Sequence, residues 1–363
     1  MNSSNMFNIV VMAGDGIGPE VMDSCVGLLE RVVARVGGFR FALNPHDCGA
    51  AHYQKSGTAM SDEVFAAAQQ ADAILLGAMG LPSVRYPDGR EIGPQLDLRE
   101  RLGLFAGVRP VRTFPGLPVP LADARAQSLD FVLVRESTEG LFASRGQSEI
   151  TDDYARDFVH LSRAGCERLF DFSFRLGLAR RQAGHPGRVT CVDKANVLGS
   201  FAWFREIFHT RAAAFPDVKP EAAYVDAVAL NMVRNPWAYD VLVTENMFGD
   251  ILSDIGAALM GGMGFAPSAD IGEHHAVFQP CHGSAPDIAG LGKANPTAMI
   301  LSAAMMLDWL GRRHGVDACR EAAALLDKAV LAAFAGGRLR PVETGGAHGL
   351  REITDAVADA LPH

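Results

Sequence analysis

The sequence predicts an α/β layered fold, and two observations carry that expectation. Short, apolar, β-rich runs recur along the chain, and amphipathic helical stretches alternate with them. The chain has 363 residues, 48% of them apolar. That is enough for a large core, and such a length ordinarily divides into two domains.

The first element is FNIVVMA (residues 7–13), closed by GDGIGP and followed by VMDSCVGLLERVVARV, an amphipathic helix. Gly14, Gly16 and Gly18 do not match G-x-G-x-x-G, whose third glycine falls later. The fingerprint also wants an acidic residue at a strand end about 20 residues further on, whereas Glu30 falls within the helix. The turn therefore reads as a tight strand-to-helix connection, with no Rossmann fingerprint. Further buried strands are predicted at 73–77 (AILLG), 131–135 (FVLVR), 189–192 (VTCV) and 241–244 (VLVT). Helices are predicted over 154–176, 197–213, 247–260 and, in alanine-rich sequence, 297–335. The proline-rich stretch 109–121 reads as a loop crossing between domains, and 261–268 (GGMGFAPS) as a glycine-rich break.

The net charge is -9, from 42 acidic and 33 basic residues. No basic cluster offsets it, so neither nucleic acid nor an anionic membrane is expected as a partner. The six cysteines are scattered with no C-x-x-C pair, which points to reduced thiols and not to disulfides or zinc. The N-terminus lacks the basic start and long apolar core of a signal peptide. No apolar run reaches the roughly 18 residues a membrane span needs. A cytoplasmic location is the expectation.

Three aspartates carry the most chemistry: Asp226, Asp250 and Asp254. On the helix predicted over 247–260, Asp250 and Asp254 share one face, one turn apart. Converging carboxylates repel unless a cation or proton lies between them, and all-oxygen ligation suits Mg²⁺ or Mn²⁺. A bare D-x-x-x-D is equally the pattern of a solvated acidic face. Arg99, Arg109 and Arg135 are candidates for binding a dicarboxylic acid through paired hydrogen bonds. Surface ion pairing is the plainer alternative. Lys194 and Asn196 follow the strand at 189–192, and in a desolvated cleft such a lysine can act as a base. A structural salt bridge is as consistent with that motif. The string HGSAPDIAGLGKANPT (282–297) could bring backbone N–H groups to a pyrophosphate, or could simply be a long surface loop.

Taken in order, GDGIGPEV, LFAGVRP, VRESTEG, VDKANVL, YVDA, FGDILSD and HGSAPDIAG…KANPT span the chain end to end. In them the chain resembles the β-decarboxylating dehydrogenases, the family of isopropylmalate, isocitrate, homoisocitrate, tartrate and D-malate dehydrogenases. The resemblance implies an isopropylmalate-dehydrogenase-like two-domain fold with a large mixed sheet. Its first, cofactor-binding domain would comprise 1–104 with 261–363. Its second, 105–260, would carry the metal ligands and the dimer contacts. It implies a homodimer with shared active sites, in which Lys194 and Asp226 of one subunit reach Asp250 and Asp254 of the other. Arg99, Arg109 and Arg135 match the family's clamp on the malate carboxylates, and the three aspartates match its metal ligands. Lys194 and Asp226 match the catalytic pair, with Asn196 beside the substrate.

The same resemblance makes His282, Gly283, Ser284, Ala285, Asp287 and Asn295 the cofactor site. NADP-using relatives carry lysine and tyrosine where this chain has Asp287 and Ile288. An aspartate accepts hydrogen bonds from a free ribose diol and repels a phosphate, which favours NAD⁺. The expected reaction is metal-dependent oxidation, with decarboxylation, of a 3-substituted (2R)-malate.

Two positions depart from the family. The usual tyrosine that helps protonate the enolate is Phe142 here, so either another group or water does that step, or the enzyme oxidises its substrate with little or no decarboxylation. The segment before the first clamp arginine reads GREIGPQLDLRE, with Gly93, Gln95 and Leu96 in place of a leucine-rich wall. Gln95 implies a polar or small substituent on C3, because an unpaired amide against an isopropyl group is unfavourable. A non-catalytic regulatory paralogue is the further alternative, and the retention of Lys194 with all three aspartates speaks against it.

Overall fold

The computed structural model describes residues 5–361. Its strands are β1 (Asn5–Gly14), β2 (Phe39–Pro45), β3 (Ala73–Ala78), β4 (Ala106–Arg112), β5 (Asp130–Glu136), β6 (Glu149–Ile150) and β7 (Ala155–Arg156). They continue as β8 (Arg188–Asp193), β9 (Lys219–Tyr224), β10 (Val241–Thr244), β11 (Pro267–Ile271) and β12 (Ala276–Pro280). The helices are α1 (Gly18–Val36), α2 (Ala50–Ser56), α3 (Asp62–Gln70), α4 (Pro94–Arg101), α5 (Arg163–Gln182) and α6 (Gly199–Ala212). After them come α7 (Val225–Arg234), α8 (Asn246–Met260), α9 (Thr297–His314), α10 (Asp317–Ala335) and α11 (Leu350–Ala360).

Ten strands form one mixed sheet in the order β2-β1-β3-β12-β11-β4-β5-β10-β8-β9. The pairs are parallel except where β11 meets β12 and where β4 meets β11 and β5. The interior strands are apolar on both faces because helices cover both: every residue of AILLGA in β3 and VLVT in β10 is buried. Helix α1 packs through Val21, Met22, Cys25, Leu28, Leu29 and Val32, the i, i+3/i+4 stripe its sequence implied. β6 and β7 form a separate two-stranded, antiparallel ribbon whose residues are exposed. The six cysteines are unpaired, and no described helix is long and apolar enough to cross a membrane.

The GDGIGP turn serves as a structural hub. Asp15, buried, accepts hydrogen bonds from Ala50 N, Ala51 N and Gly80 N, each at 2.8 Å, and so ties three loops together. Gly16 (φ +57°) lies against the Ser284 carbonyl, where any Cβ would collide with backbone.

Several boundaries differ from the sequence reading. Residues 109–112 are the second half of β4 and not a loop, while 113–121 remain irregular. The helix predicted from 154 begins at Arg163, because Ala155–Arg156 are taken up by the exposed ribbon. The glycine-rich break gives way to β11 at Pro267. The helical stretch 297–335 is two helices, with α9 ending at Gly315 in the left-handed conformation.

Candidate active site

The sheet's central strands bring three arginines together. Arg99 projects from the last turn of α4, Arg109 from β4 and Arg135 from β5, and all three are buried. Between the first two lies Asp270 of β11, only 1% exposed, which sequence reasoning missed. Its carboxylate accepts from Arg99 Nε at 2.9 Å, Arg109 Nη2 at 3.1 Å and Gln279 Nε2 at 2.7 Å. Burial alone would raise the Asp270 carboxyl; the pull of Arg99 and Arg109 outweighs it and lowers the pKa to about 2. The antiparallel register sets Asp270 opposite Gly107, and a side chain at 107 would run into Ser137 and Asp270.

Arg135 is held differently. Its Nε donates to Asn246 Oδ1 at 2.8 Å and its Nη1 pairs with Asp250. Burial and the neighbouring Arg99 lower its pKa to about 10, which still leaves it charged at neutral pH. Gly249 lets α8 approach this closely, since a Cβ there would strike the Arg135 side-chain stem.

Helix α8 is started by Glu245, whose side chain accepts from Phe248 N, and ended by Gly261 in the left-handed conformation. Its buried stripe includes Leu252, Ala257, Leu259 and Met260, which leaves Asp250 and Asp254 on the cleft side, one turn apart. Burial and the adjacent Asp250 raise the Asp254 carboxyl. Two crowded carboxylates of this kind are what a hard cation would relieve, so the donor set fits Mg²⁺ or Mn²⁺.

Asp226 and Lys194 are not brought to that pair within one chain. Lys194 Nζ pairs with Asp226 Oδ1 at 2.8 Å, and the lysine holds the exposed Asp226 carboxyl below its ordinary range. Among the described residues, no three acidic, histidine or cysteine side chains lie close enough together to hold a metal. Asn196 is exposed in the turn after β8, and neighbouring Asp193 is buried in a two-point pair with Arg205 at 2.7 Å.

Of the cofactor-loop residues, His282 and Gly283 line the arginine cleft. Ser284 Oγ donates to Gly80 O, and Ser284 O accepts from Ile17 N at 2.8 Å, joining this loop to the first turn. Ala285 is the one described non-glycine residue with positive φ (+36°). His282 Nε2 is buried without a hydrogen-bond partner, and burial lowers the ring's pKa. Gly283 and Asp287 are exposed. Open backbone, an unpartnered imidazole nitrogen and an exposed aspartate together fit a dinucleotide.

Asn295 is engaged inward. Its Oδ1 accepts from Thr297 N at 3.1 Å and Thr297 Oγ1 at 2.6 Å at the start of α9, and its Nδ2 donates to Glu343 at 2.5 Å. Little of its side chain is left for a cofactor. Glu343, also missed in the sequence, holds this corner by accepting from Gly264 N as well.

A cavity of about 360 Å³ is lined by Arg99, Arg109, Arg135, Asp250, Asp254 and His282. Gln95 and Phe142 line it too, the Phe142 ring centre lying 5.2 Å from the Arg135 guanidinium carbon. Lys194, Asn196, Asp226 and Asp287 lie outside it. Its cations suit a dianion and its acids a metal, in one space beside the cofactor loop.

Residues 8–357 match the isocitrate/isopropylmalate dehydrogenase family. Over 351 residues, 96% of this chain and 97% of the relative, the sequence is 39% identical to the 3-isopropylmalate dehydrogenase of Lactococcus lactis. Over 318 residues, 87% and 90% of the two chains, it is 39% identical to the 3-isopropylmalate/3-methylmalate dehydrogenase of Methanocaldococcus jannaschii. The fold is similar to the crystal structure of isocitrate dehydrogenase from Methylococcus capsulatus, with a TM-score of 0.86, 33% identity, and 99% and 100% of the chains covered. It is also similar to a β-decarboxylating dehydrogenase from Thermococcus kodakarensis, with a TM-score of 0.79, 34% identity, and 98% and 96% covered.

Proposed function

The chain belongs to the isocitrate/isopropylmalate dehydrogenase family, and we propose that it oxidises the hydroxyl carbon of a 3-substituted (2R)-malate. NAD⁺ and Mg²⁺ or Mn²⁺ are the proposed cofactors. The observation that carries this reading is the single cavity holding three arginines, two aspartates and the edge of the HGSAP loop. The enzyme is an oxidoreductase acting on a hydroxy-acid CH–OH group.

Arg99, Arg109 and Arg135 would hold the substrate carboxylates by charge-assisted hydrogen bonds and fix C2 toward the cofactor loop. A divalent cation on Asp250, Asp254 and Asp226 would lower the pKa of the substrate hydroxyl. NAD⁺, on the His282–Asp287 loop, would accept the hydride. Lys194, placed by its contact with Asp226 and acting in its neutral amine form, would take the hydroxyl proton. Burial of the arginines excludes water from the carboxylates and strengthens each contact.

Lys194 and Asp226 would act in a site shared between two copies of the chain. Exposed apolar side chains flank these residues in the sequence, Val197 and Leu198 after Lys194 and Leu230 and Val233 after Asp226 on α7, and Ile251 follows Asp250 on α8. Exposed apolar side chains of this kind suit burial against a second copy. A division of the chain into 1–104 with 261–363 and 105–260 is proposed on similar support. In the sheet order, β2-β1-β3-β12-β11 come from the first part and β4-β5-β10-β8-β9 from the second.

Turnover of malates with NAD⁺ and Mn²⁺, read as NADH and CO₂ separately, tests the proposal. NADH formation abolished by a chelator and restored by Mn²⁺ supports it; NADH formation indifferent to metal refutes the metal-dependent oxidation. NAD⁺ should be favoured over NADP⁺ by about a hundredfold or more, because Asp287 would face a 2′-phosphate. Asp287→Lys with Ile288→Tyr should shrink that ratio at least about tenfold, and an unaltered ratio would contradict the assignment.

Phe142 favours a second reading, oxidation with little CO₂ release. Its ring lines the cavity and has no proton to give an enolate. Phe142→Tyr should raise the CO₂-to-NADH ratio several-fold if protonation limits decarboxylation; a ratio already at one in the wild type would remove this alternative.

A further inference from the structure

We infer that Arg205 is a positioning residue for the reaction: it ties together the two turns that carry Lys194 and Asp226. The inference rests on the reading of that pair above as base and metal ligand, and extends it to a residue outside the cavity. Lys194 directly follows Asp193, the last residue of β8. Asp226 lies in the first turn of α7, two residues after Tyr224, the last residue of β9. The two strands are parallel, with Asp193 opposite Tyr224, so both turns leave the same end of the sheet. Burial does not fix them there, since Asn196 and Asp226 are exposed.

Hydrogen bonds and one stacked cation hold them instead. The fully buried Asp193 carboxylate accepts from Ala195 N at 2.8 Å, just past Lys194, and from Arg205 Nε and Nη2, each at 2.7 Å. Lys194 O accepts from Val197 N at 3.0 Å and Leu198 N at 3.1 Å, so the lysine's backbone is fixed on both sides. Arg205 projects from α6, and its guanidinium carbon lies 4.9 Å from the centre of the Tyr224 ring. One planar cation thus forks onto the carboxylate before Lys194 and packs on the ring two residues before Asp226. The Lys194–Asp226 contact at 2.8 Å joins a partly exposed lysine to an exposed carboxylate. Such a pair is too weak to set its own geometry, whereas misplacing a reacting group by about 1 Å can cost roughly a hundredfold in rate. The Asp193–Arg205–Tyr224 chain supplies the rigidity the pair lacks.

Arg205→Lys is the variant to test, because it keeps a cation beside Asp193 and removes only the fork and the stacked plane. Arg205→Ala would strand a buried carboxylate and endanger the fold. In Arg205→Lys, kcat should fall at least about tenfold, the Mn²⁺ concentration for half-maximal rate should rise several-fold, and the NAD⁺ dissociation constant should hold. Either of the first two unchanged overturns the inference, and so does a loss of NAD⁺ affinity equal to the loss of kcat, the mark of general loosening. If Arg205→Lys does not fold, Asp193→Asn, which can keep the Ala195 hydrogen bond and loses the ion pair, gives the same reading. Mixed dimers add a readout that a general loosening would not produce. Paired with an Asp254→Asn chain, the Arg205→Lys chain should regain about half the wild-type rate; paired with a Lys194→Met chain, it should stay below its own rate. Equal rates in the two mixtures overturn the inference. If Lys194→Met with Asp254→Asn regains nothing, the shared site fails, and the kcat and Mn²⁺ values of Arg205→Lys still decide the role of Arg205. No NADH from the wild type with any malate would sink the proposed reaction and this inference with it.

Discussion

Asp270→Asn is expected to lower the stability of the fold by about 3 kcal/mol or more and to cut kcat/KM by about a hundredfold or more. Asp270 is 1% exposed and is the shared counter-ion of Arg99 and Arg109. Removing its charge leaves two buried guanidinium groups facing an amide, and the penalty is that of a buried ion pair broken from one side. The clamp loses its geometry at the same time, because both arginines are held through that carboxylate. The pH dependence has a definite sign. Asp270 has a folded pKa depressed to about 2, against roughly 3.9 when unfolded. Its contribution is present above about pH 4 and disappears as the pH falls toward 2. Thermal melts of both proteins at pH 7 and near pH 3 check this: the gap should be wide at pH 7 and narrower in acid. Equal melting temperatures at pH 7 would show that Asp270 does not support the arginines.

Lys194→Met is expected to reduce kcat by about a thousandfold, within the range for losing a general base, while NAD⁺ still binds. Lys194 lies 2.8 Å from Asp226 and outside the cavity of its own chain, so its removal spares the clamp and the cofactor loop. Cofactor titration by fluorescence alongside steady-state rates separates the two effects. Loss of NAD⁺ binding equal to the loss of kcat would assign Lys194 a structural role instead.

Much of the fold was legible where burial is two-sided. The apolar runs of β3, β5, β8 and β10 announce themselves because helices cover both faces of the sheet there. Edge strands gave weaker signals. In β2, after the buried Phe39, and throughout β9, exposed and partly buried residues interleave, so neither forms an apolar run. Residues 109–112 misled through Pro110. A proline argues against a central strand, yet β11 pairs only with Ala106–Val108, so Pro110 lies past that ladder and costs it no hydrogen bond.

The site divided along a similar line. Asp250, Asp254 and the three arginines stand in distinctive strings, and the structure gathers them in one cavity. Asp270 and Glu343 were not legible, because a buried acid is identified by the partners that surround it in space. Asn295 was legible as a motif, but its inward hydrogen bonds were not, because they depend on where Thr297 and Glu343 come to lie. The distance between Lys194 and the Asp250–Asp254 pair could not be read from one chain's sequence, and in one chain they remain apart.

A subunit-complementation assay tests most directly the claim that two copies of the chain build each active site. Lys194→Met and Asp254→Asn chains, each inactive alone, are co-expressed with different tags and purified as a mixed species. With shared sites, each mixed dimer holds one site carrying both substitutions and one carrying neither, so activity should return to about half that of the wild type. If each chain holds a complete site, every site in the mixture carries one substitution and no activity returns, which would contradict the account.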